Sequence, residues 1–203
     1  MGNGVEYDFF SGTGDIARPP DLPAGKPIAV YIGAVYPWLD YELLLDICTL
    51  MAAVNFVFIG PVHPGITQWV NRLKQSPNVH FLGFRPYQVI PQYLHHADVG
   101  MIPFRKIDLT RTVNPVKLYE YSAAGKPTVA TNFSDDLLSY KDKIFIASST
   151  RDFSMALRTA LQKGKDPQYI STLQSFASEH DWDTKTSRII QLMKDQIVFN
   201  QAS

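Results

Sequence analysis

One cysteine, no net charge and no long apolar run set the first limits on this 203-residue chain. Cys48 alone can close no disulfide within the chain and build no thiolate metal cluster, and its neighbours in LLLDICTLMA read as core. A reducing, cytosolic setting is expected. Lys+Arg 19 and Asp+Glu 19 cancel, so no overall positive field draws the chain to nucleic acid or to an anionic bilayer. No stretch approaches the ~18 to 20 consecutive apolar residues of a membrane span. The opening MGNGVEYDFF also lacks the basic-then-apolar order of a signal peptide. Repeats and low-complexity tracts are missing too. What is present is ordinary for a globular domain: 45% hydrophobic and 12% aromatic residues. A chain of this length buries about 70% of its unfolded surface around one core.

Gly2, Gly4, Gly12, Gly14, Pro19, Pro20, Pro23 and Gly25 crowd the first 25 residues, which read as an inter-domain linker or lead-in. Residues 26–181 are expected to form the domain proper, and 182–203 a closing helix and tail. Within the domain, apolar runs at Ile28 to Ile32, Phe56 to Ile59, Val79 to Leu82, Val99 to Phe104, Thr128 to Thr131 and Ile144 to Ala147 predict strands. Helical patterns fall between and after them, at 41–52, 66–74, 87–96, 115–124, 151–163, 167–179 and 183–198. Strict alternation requires crossover connections, hence an α/β doubly wound parallel sheet covered on both faces. Ligands of such sheets bind beyond the carboxyl ends of the strands. The loops there, GAVYPWLD, GPVHPG, GFRPY, Arg105 to Asn114 and TNFSDD, are rich in glycine, proline, aromatic and charged residues.

The segment NPVKLYEYSAAGKP carries signals for both ends of a helix. Asn114 suits the N-cap, Pro115 the first helical position, Gly125 the stop, and Pro127 forbids continuation. Lys117 then lies in the first turn, where the helix dipole favours acids, with Glu120 three residues on. An anion at the helix N-terminus, countered by Lys117, with Glu120 accepting from neutral hydroxyls one turn deeper, would account for this inverted order. A phosphate joined to a sugar has both features. The alternative is a surface Lys–Glu pair worth about 0.3 kcal/mol.

The tract NPVKLYEYSAAGKPTVAT resembles the signature of the C-terminal, nucleotide-sugar-binding domain of GT-B bacterial glycosyltransferases, the group of capsule, teichuronic acid and lipopolysaccharide enzymes. AVYIGAVYPWLDYELL, NFVFIGP and NVHFLGFRPYQVIPQYLHHADVGMIPF resemble the strands and helices expected before it, and Trp182 the start of the closing helix. Asn3-Gly4-Val5 with Phe9 and Phe10 is similar to the junction from an N-terminal domain, absent from this chain. The resemblance implies a Rossmann-like half of a larger enzyme that binds a nucleoside diphosphate-sugar, UDP- or GDP-linked. It implies no metal or other cofactor, and a glycan or lipid-linked acceptor. By resemblance Glu120 meets the ribose hydroxyls, Lys117 the diphosphate, and Val116 and Asn114 offer backbone contacts to phosphate. Gly33, at the end of the first strand, is a further donor-binding position, and Phe84, Arg85 and Pro86, followed by Tyr87, border the base. The sequence departs from the pattern at Thr112, where an outer glutamate often stands, and at Ala34, where an arginine is usual. Arg105, Lys106 and Arg111 are candidates to supply leaving-group charge in their place. A nucleotide-binding or interaction module without transferase activity, and a UDP-sugar 2-epimerase-like enzyme, are the alternatives. The resemblance also implies a cytoplasmic enzyme, peripheral to the inner membrane when whole.

Of the remaining polar and aromatic residues, Asp40 reads as a helix N-cap and Trp38 as cleft-facing. His63 is in reach of the site or merely solvated. His95-His96 lacks the ligand spacing of a zinc site. Asp135-Asp136 reads as the cap of a short helix, and Phe9-Phe10 as an anchor of the lead-in onto the domain or, alternatively, as contact surface for an N-terminal half.

Overall fold

The computed structural model of the chain describes residues 2–12, 14 and 16–201. Six parallel strands form one sheet: β1 (Ile28–Ile32), β2 (Asn55–Ile59), β3 (Val79–Gly83), β4 (Val99–Ile102), β5 (Thr128–Thr131) and β6 (Phe145–Ala147), in the order β3-β2-β1-β4-β5-β6. Every residue of β1, β2, β4 and β5 is buried, as uniformly apolar strands under two helical layers must be. The fourth strand is shorter than its apolar run, ending at Ile102. Beyond it Phe104 makes only an isolated bridge to Leu39.

The helices are α1 (Tyr7–Ser11), α2 (Tyr41–Leu50), α3 (Thr67–Leu73), α4 (Ile90–His95), α5 (Asp108–Arg111), α6 (Val116–Ala123), α7 (Thr150–Lys163), α8 (Pro167–Ser178) and α9 (Trp182–Gln201). Asp40 caps α2 as its sequence suggests, its carboxylate accepting the Leu43 N–H at 3.0 Å. Asp40→Ala is expected to cost about 1 kcal/mol in chemical denaturation, and no loss would remove the capping role. Gly125 ends α6 at φ 68°, with Lys126 N–H donating to the Tyr121 carbonyl at 2.8 Å and Gly125 N–H to that of Ser122 at 2.9 Å.

Two caps differ from expectation. Ser134, not Asp135-Asp136, caps the 3₁₀ turn Asp135–Tyr140 by accepting the Asp136 N–H, because its hydroxyl stands one residue before the turn. Pro115 holds the cap position of α6 while the Asn114 side chain bonds elsewhere.

The first 25 residues do not trail free of the domain. Phe10 on α1 is fully buried, Leu22 nearly so, and Val5 bridges Asp181. The imidazoles of His95 and His96 donate to the carbonyls of Phe10 at 3.0 Å and Ile16 at 2.6 Å. The histidine pair therefore holds the lead-in, and the Phe9-Phe10 anchor is formed.

β1 and β4 pair only at Ala29 with Val99 and Val30 with Gly100. Past that point the two strands separate, and the Tyr121 hydroxyl enters from α6 to accept the Ile32 N–H at 3.0 Å. Connections run to opposite sides of the sheet from these two strands, so a crevice opens at their carboxyl ends.

Candidate functional site

The crevice is floored by backbone. Gly33, directly after β1, donates its N–H to the Ile59 carbonyl at 2.8 Å. A Cβ on Gly60 would stand 2.0 Å from the Gly33 carbonyl oxygen, so the two chain segments touch without side chains between them. Above Gly33 lies Lys117, whose Nζ would be 2.9 Å from a Cβ at that position. The first-strand glycine and the first-turn lysine, far apart in sequence, are thus one feature.

Lys117 Nζ sits 5.5 Å from the centre of the Tyr31 ring and 5.9 Å from that of Phe104. It projects into a cavity of about 320 Å³ walled by Tyr31, Ala34, Trp38, Phe104 and Leu109. Among the described residues no carboxylate lies within ion-pairing distance of it. Burial lowers the Lys117 pKa, and Glu120 opposes the shift only in part. Burial likewise raises the Glu120 pKa against the pull of Lys117. Two opposite charges are therefore held largely out of water on one helix without closing on each other.

The other expected residues divide. Val116 opens α6 at the crevice, 38% exposed, and its N–H and that of Lys117 have no partner among the described residues, while the Leu118 N–H donates to the Pro115 carbonyl at 3.1 Å. Phe84 is 68% exposed, its ring face open to a ligand, and Pro86 leads into the 3₁₀ turn Tyr87–Val89. Arg85 is committed elsewhere: its guanidinium pairs with Asp21 and donates to the Tyr93 hydroxyl at 2.8 Å. Arg105 lines a separate cavity with Pro37 and Trp69, Lys106 pairs with Asp135 at 3.5 Å, and Arg111 with Asp108 at 3.7 Å. None of the three brings its charge into the Lys117 cavity. Trp38 walls that cavity and stacks on Tyr36 at 4.8 Å, whereas His63 turns its Nδ1 to the Gly65 N–H at 3.0 Å.

One residue enters that sequence patterns did not single out, Glu6, and it meets Tyr87 of the loop expected to border the base. Tyr87 stacks on Phe9 at 4.9 Å and donates to the Glu6 carboxylate at 3.3 Å. Burial raises the Tyr87 pKa, and the fields of Glu6 and then Glu120 raise it further. The signal was the carboxylate after Asn3-Gly4-Val5, invisible until α1 brings it across. A larger cavity of about 520 Å³, lined by Asp40, Glu42, Asp46 and Ser149 among others, contains neither Lys117 nor Glu120. No group of three or more His, Cys, Asp or Glu side chains gathers among the described residues, and no described helix is long and apolar enough to cross a membrane.

Strand order and crevice define a Rossmann-like domain of the kind that makes up half of a GT-B glycosyltransferase. The chain belongs to the family described as glycosyl transferases group 1, whose profile matches residues 26–163. It is 26% identical over 193 residues to TuaH of Bacillus subtilis (strain 168), assigned as a teichuronic acid biosynthesis glycosyltransferase. That match covers 93% of this chain and 49% of TuaH, so the chain spans about half the length of this relative. Among solved structures it is similar to WaaG, a glycosyltransferase involved in lipopolysaccharide biosynthesis, at a TM-score of 0.66 and 15% identity over 89% of this chain and 52% of WaaG. It is also similar to Anabaena HepE in complex with UDP and glucose, at a TM-score of 0.65 and 18% identity over 95% of this chain and 55% of HepE.

Proposed function

We propose that this chain is the donor-binding, C-terminal half of a glycosyltransferase that moves a hexosyl group from a nucleoside diphosphate-sugar, UDP- or GDP-linked, to a bacterial surface glycan or lipid-linked acceptor. The observation that carries the reading is the pair on α6: a half-buried Lys117 without an ion-pair partner among the described residues, in the first turn, and a half-buried Glu120 one turn deeper. The first suits a diphosphate, together with the open N–H groups of the first turn, and the second suits vicinal ribose hydroxyls. The exposed ring of Phe84 and the Tyr87 edge offer a face for the base. The UDP and glucose of HepE and the teichuronic acid assignment of TuaH support the same substrate class.

Transfer breaks the bond from the anomeric carbon to the diphosphate oxygen and forms one to the acceptor oxygen, whose proton goes to a base. Charge grows on the departing diphosphate, where Lys117 and the α6 amides lie, so this half stabilises the leaving group without a metal. The acceptor and its base belong to the other half. This chain alone then binds donor but does not turn it over, and the whole enzyme works at the cytoplasmic face of the membrane.

Calorimetry and thermal shift with UDP, GDP, ADP and their sugars test the reading. One of them should bind and raise Tm; silence from all three overturns it. Lys117→Met should weaken a nucleoside diphosphate about tenfold, a change of about 1.4 kcal/mol, and leave the free nucleoside unaffected. Equal losses for both would remove Lys117 from the diphosphate.

A further inference from the structure

Asn114 is the residue that the sequence offers as a cap for α6, and the fold turns its side chain away from that helix. Its Oδ1 accepts the Asn3 backbone N–H at 3.0 Å and the Tyr119 hydroxyl at 3.0 Å. Its carbonyl accepts Asn3 Nδ2 at 2.6 Å, and its own Nδ2 donates to the Tyr140 hydroxyl at 3.3 Å. Asn3 is held in turn. Lys185, buried against the Tyr119 ring with Nζ 5.6 Å from its centre, donates to the Gly2 carbonyl at 2.9 Å and to that of Asn3. Val5 N–H donates to the His180 carbonyl at 3.2 Å, and Trp182 N–H to that of Val5 at 3.0 Å. The lead-in is pinned to the start of α9 and, through a reciprocal asparagine pair, to the residue that precedes the donor helix.

Pro115 holds the cap position, and an asparagine just before it ordinarily turns its side chain onto the N–H two residues on, here that of Val116 at the start of α6. With Oδ1 taken by Asn3 and Tyr119, Asn114 cannot, and the N–H groups of Val116 and Lys117 stay open to an anion, while that of Leu118 donates to the Pro115 carbonyl at 3.1 Å. We infer that Asn3 is a positioning residue for donor binding: acting through Asn114, it keeps the N-terminus of α6 uncapped and aligned on the Lys117 cavity, so that seating of the lead-in and occupancy of the donor site are coupled. This rests on the donor-binding reading above. Coupling is reciprocal, so whatever affinity the donor gains from a seated lead-in, the lead-in gains in stability from the donor.

The test uses the full chain with UDP, GDP and ADP as probes. Asn3→Ala and Lys185→Met, which loosen the clasp from its two sides, should each weaken the nucleotide that binds wild type about fivefold. In the wild type that nucleotide should slow hydrogen exchange at the Asn3 and Val5 amides. The double variant Asn3→Ala/Asn114→Ala should bind more tightly than Asn3→Ala, since no side chain remains to take the Val116 N–H. A purely structural Asn3 predicts a double variant no better than the single one, and that result overturns the inference. So do wild-type affinity in both single variants or unchanged exchange in the lead-in, and these leave the donor reading standing. A wild type that binds none of the three nucleotides overturns both.

Discussion

Glu120→Ala is expected to weaken nucleotide binding about 100-fold without lowering Tm. Hydrogen bonds to a charged group contribute about 1.5–3 kcal/mol each. Two of them to vicinal hydroxyls therefore correspond to at least a hundredfold, at about 1.4 kcal/mol per tenfold. The unchanged Tm follows from the direction of the pKa. Burial raises the folded-state value of Glu120 above that of the unfolded chain, so between the two values the folded state holds the extra proton. The stabilising contribution of that proton is present below the ordinary glutamate range and is lost as pH rises through the raised value. A carboxyl whose ionisation its burial opposes gives the fold no charge-based stability that alanine would forfeit. Lys117 mirrors it: its folded value is depressed by burial, so its contribution is present above the ordinary lysine range and lost as pH falls through the depressed value. A donor with an anion for one and hydroxyls for the other satisfies both. Titration calorimetry with a ribonucleotide and its 2′-deoxy counterpart reads the effect directly. Wild type should discriminate between them and Glu120→Ala should not; equal affinity of mutant and wild type would sink the ribose assignment.

Gly100→Ala is expected to destabilise the domain by about 3 kcal/mol, or roughly 6–12 °C in Tm for a chain of this size. A methyl on Gly100 would stand 2.1 Å from Cδ2 of Tyr121, a ring with no exposed surface. Overpacking is felt twice because Tyr121 also supplies the acceptor for the Ile32 N–H where β1 and β4 part. Any shift of the ring leaves that buried donor without a partner. The same substitution should therefore loosen α6 from the end of β1, where Gly33 and Lys117 meet. A melting curve superimposable on wild type would show that the ring has somewhere to go.

What could be read from the sequence was local. The strands announced themselves by apolar runs, α2 by Asp40 and the end of α6 by Gly125 followed by Pro127, because each signal acts within a few residues. Lys117 and Glu120 were legible for the same reason: their spacing alone puts them on one helical face. Side-chain partners and strand ends were not legible where a distant residue decides them. Asn114 is a good cap by type, but Asn3, 111 residues away, takes its oxygen. Arg85 belongs to a loop that borders the crevice, yet Asp21 in the lead-in claims its charge. The run from Val99 to Phe104 is apolar throughout, but pairing stops where the strands diverge at Ile102. The lead-in itself looked like linker because its glycines and prolines outnumber its anchors, and burying Phe10 and Leu22 outweighs that composition.

Cys48 gives the chain a chemical property of practical use. Its thiol is buried on α2 and burial pushes its pKa up to about 12, so almost no thiolate exists at neutral pH. Toward maleimides and other thiol reagents the folded domain behaves as though it had no cysteine. One cysteine introduced at an exposed loop position such as Phe84 would then be the only reactive handle on the native fold, and a dye placed there would report from the rim of the crevice with no background from the core.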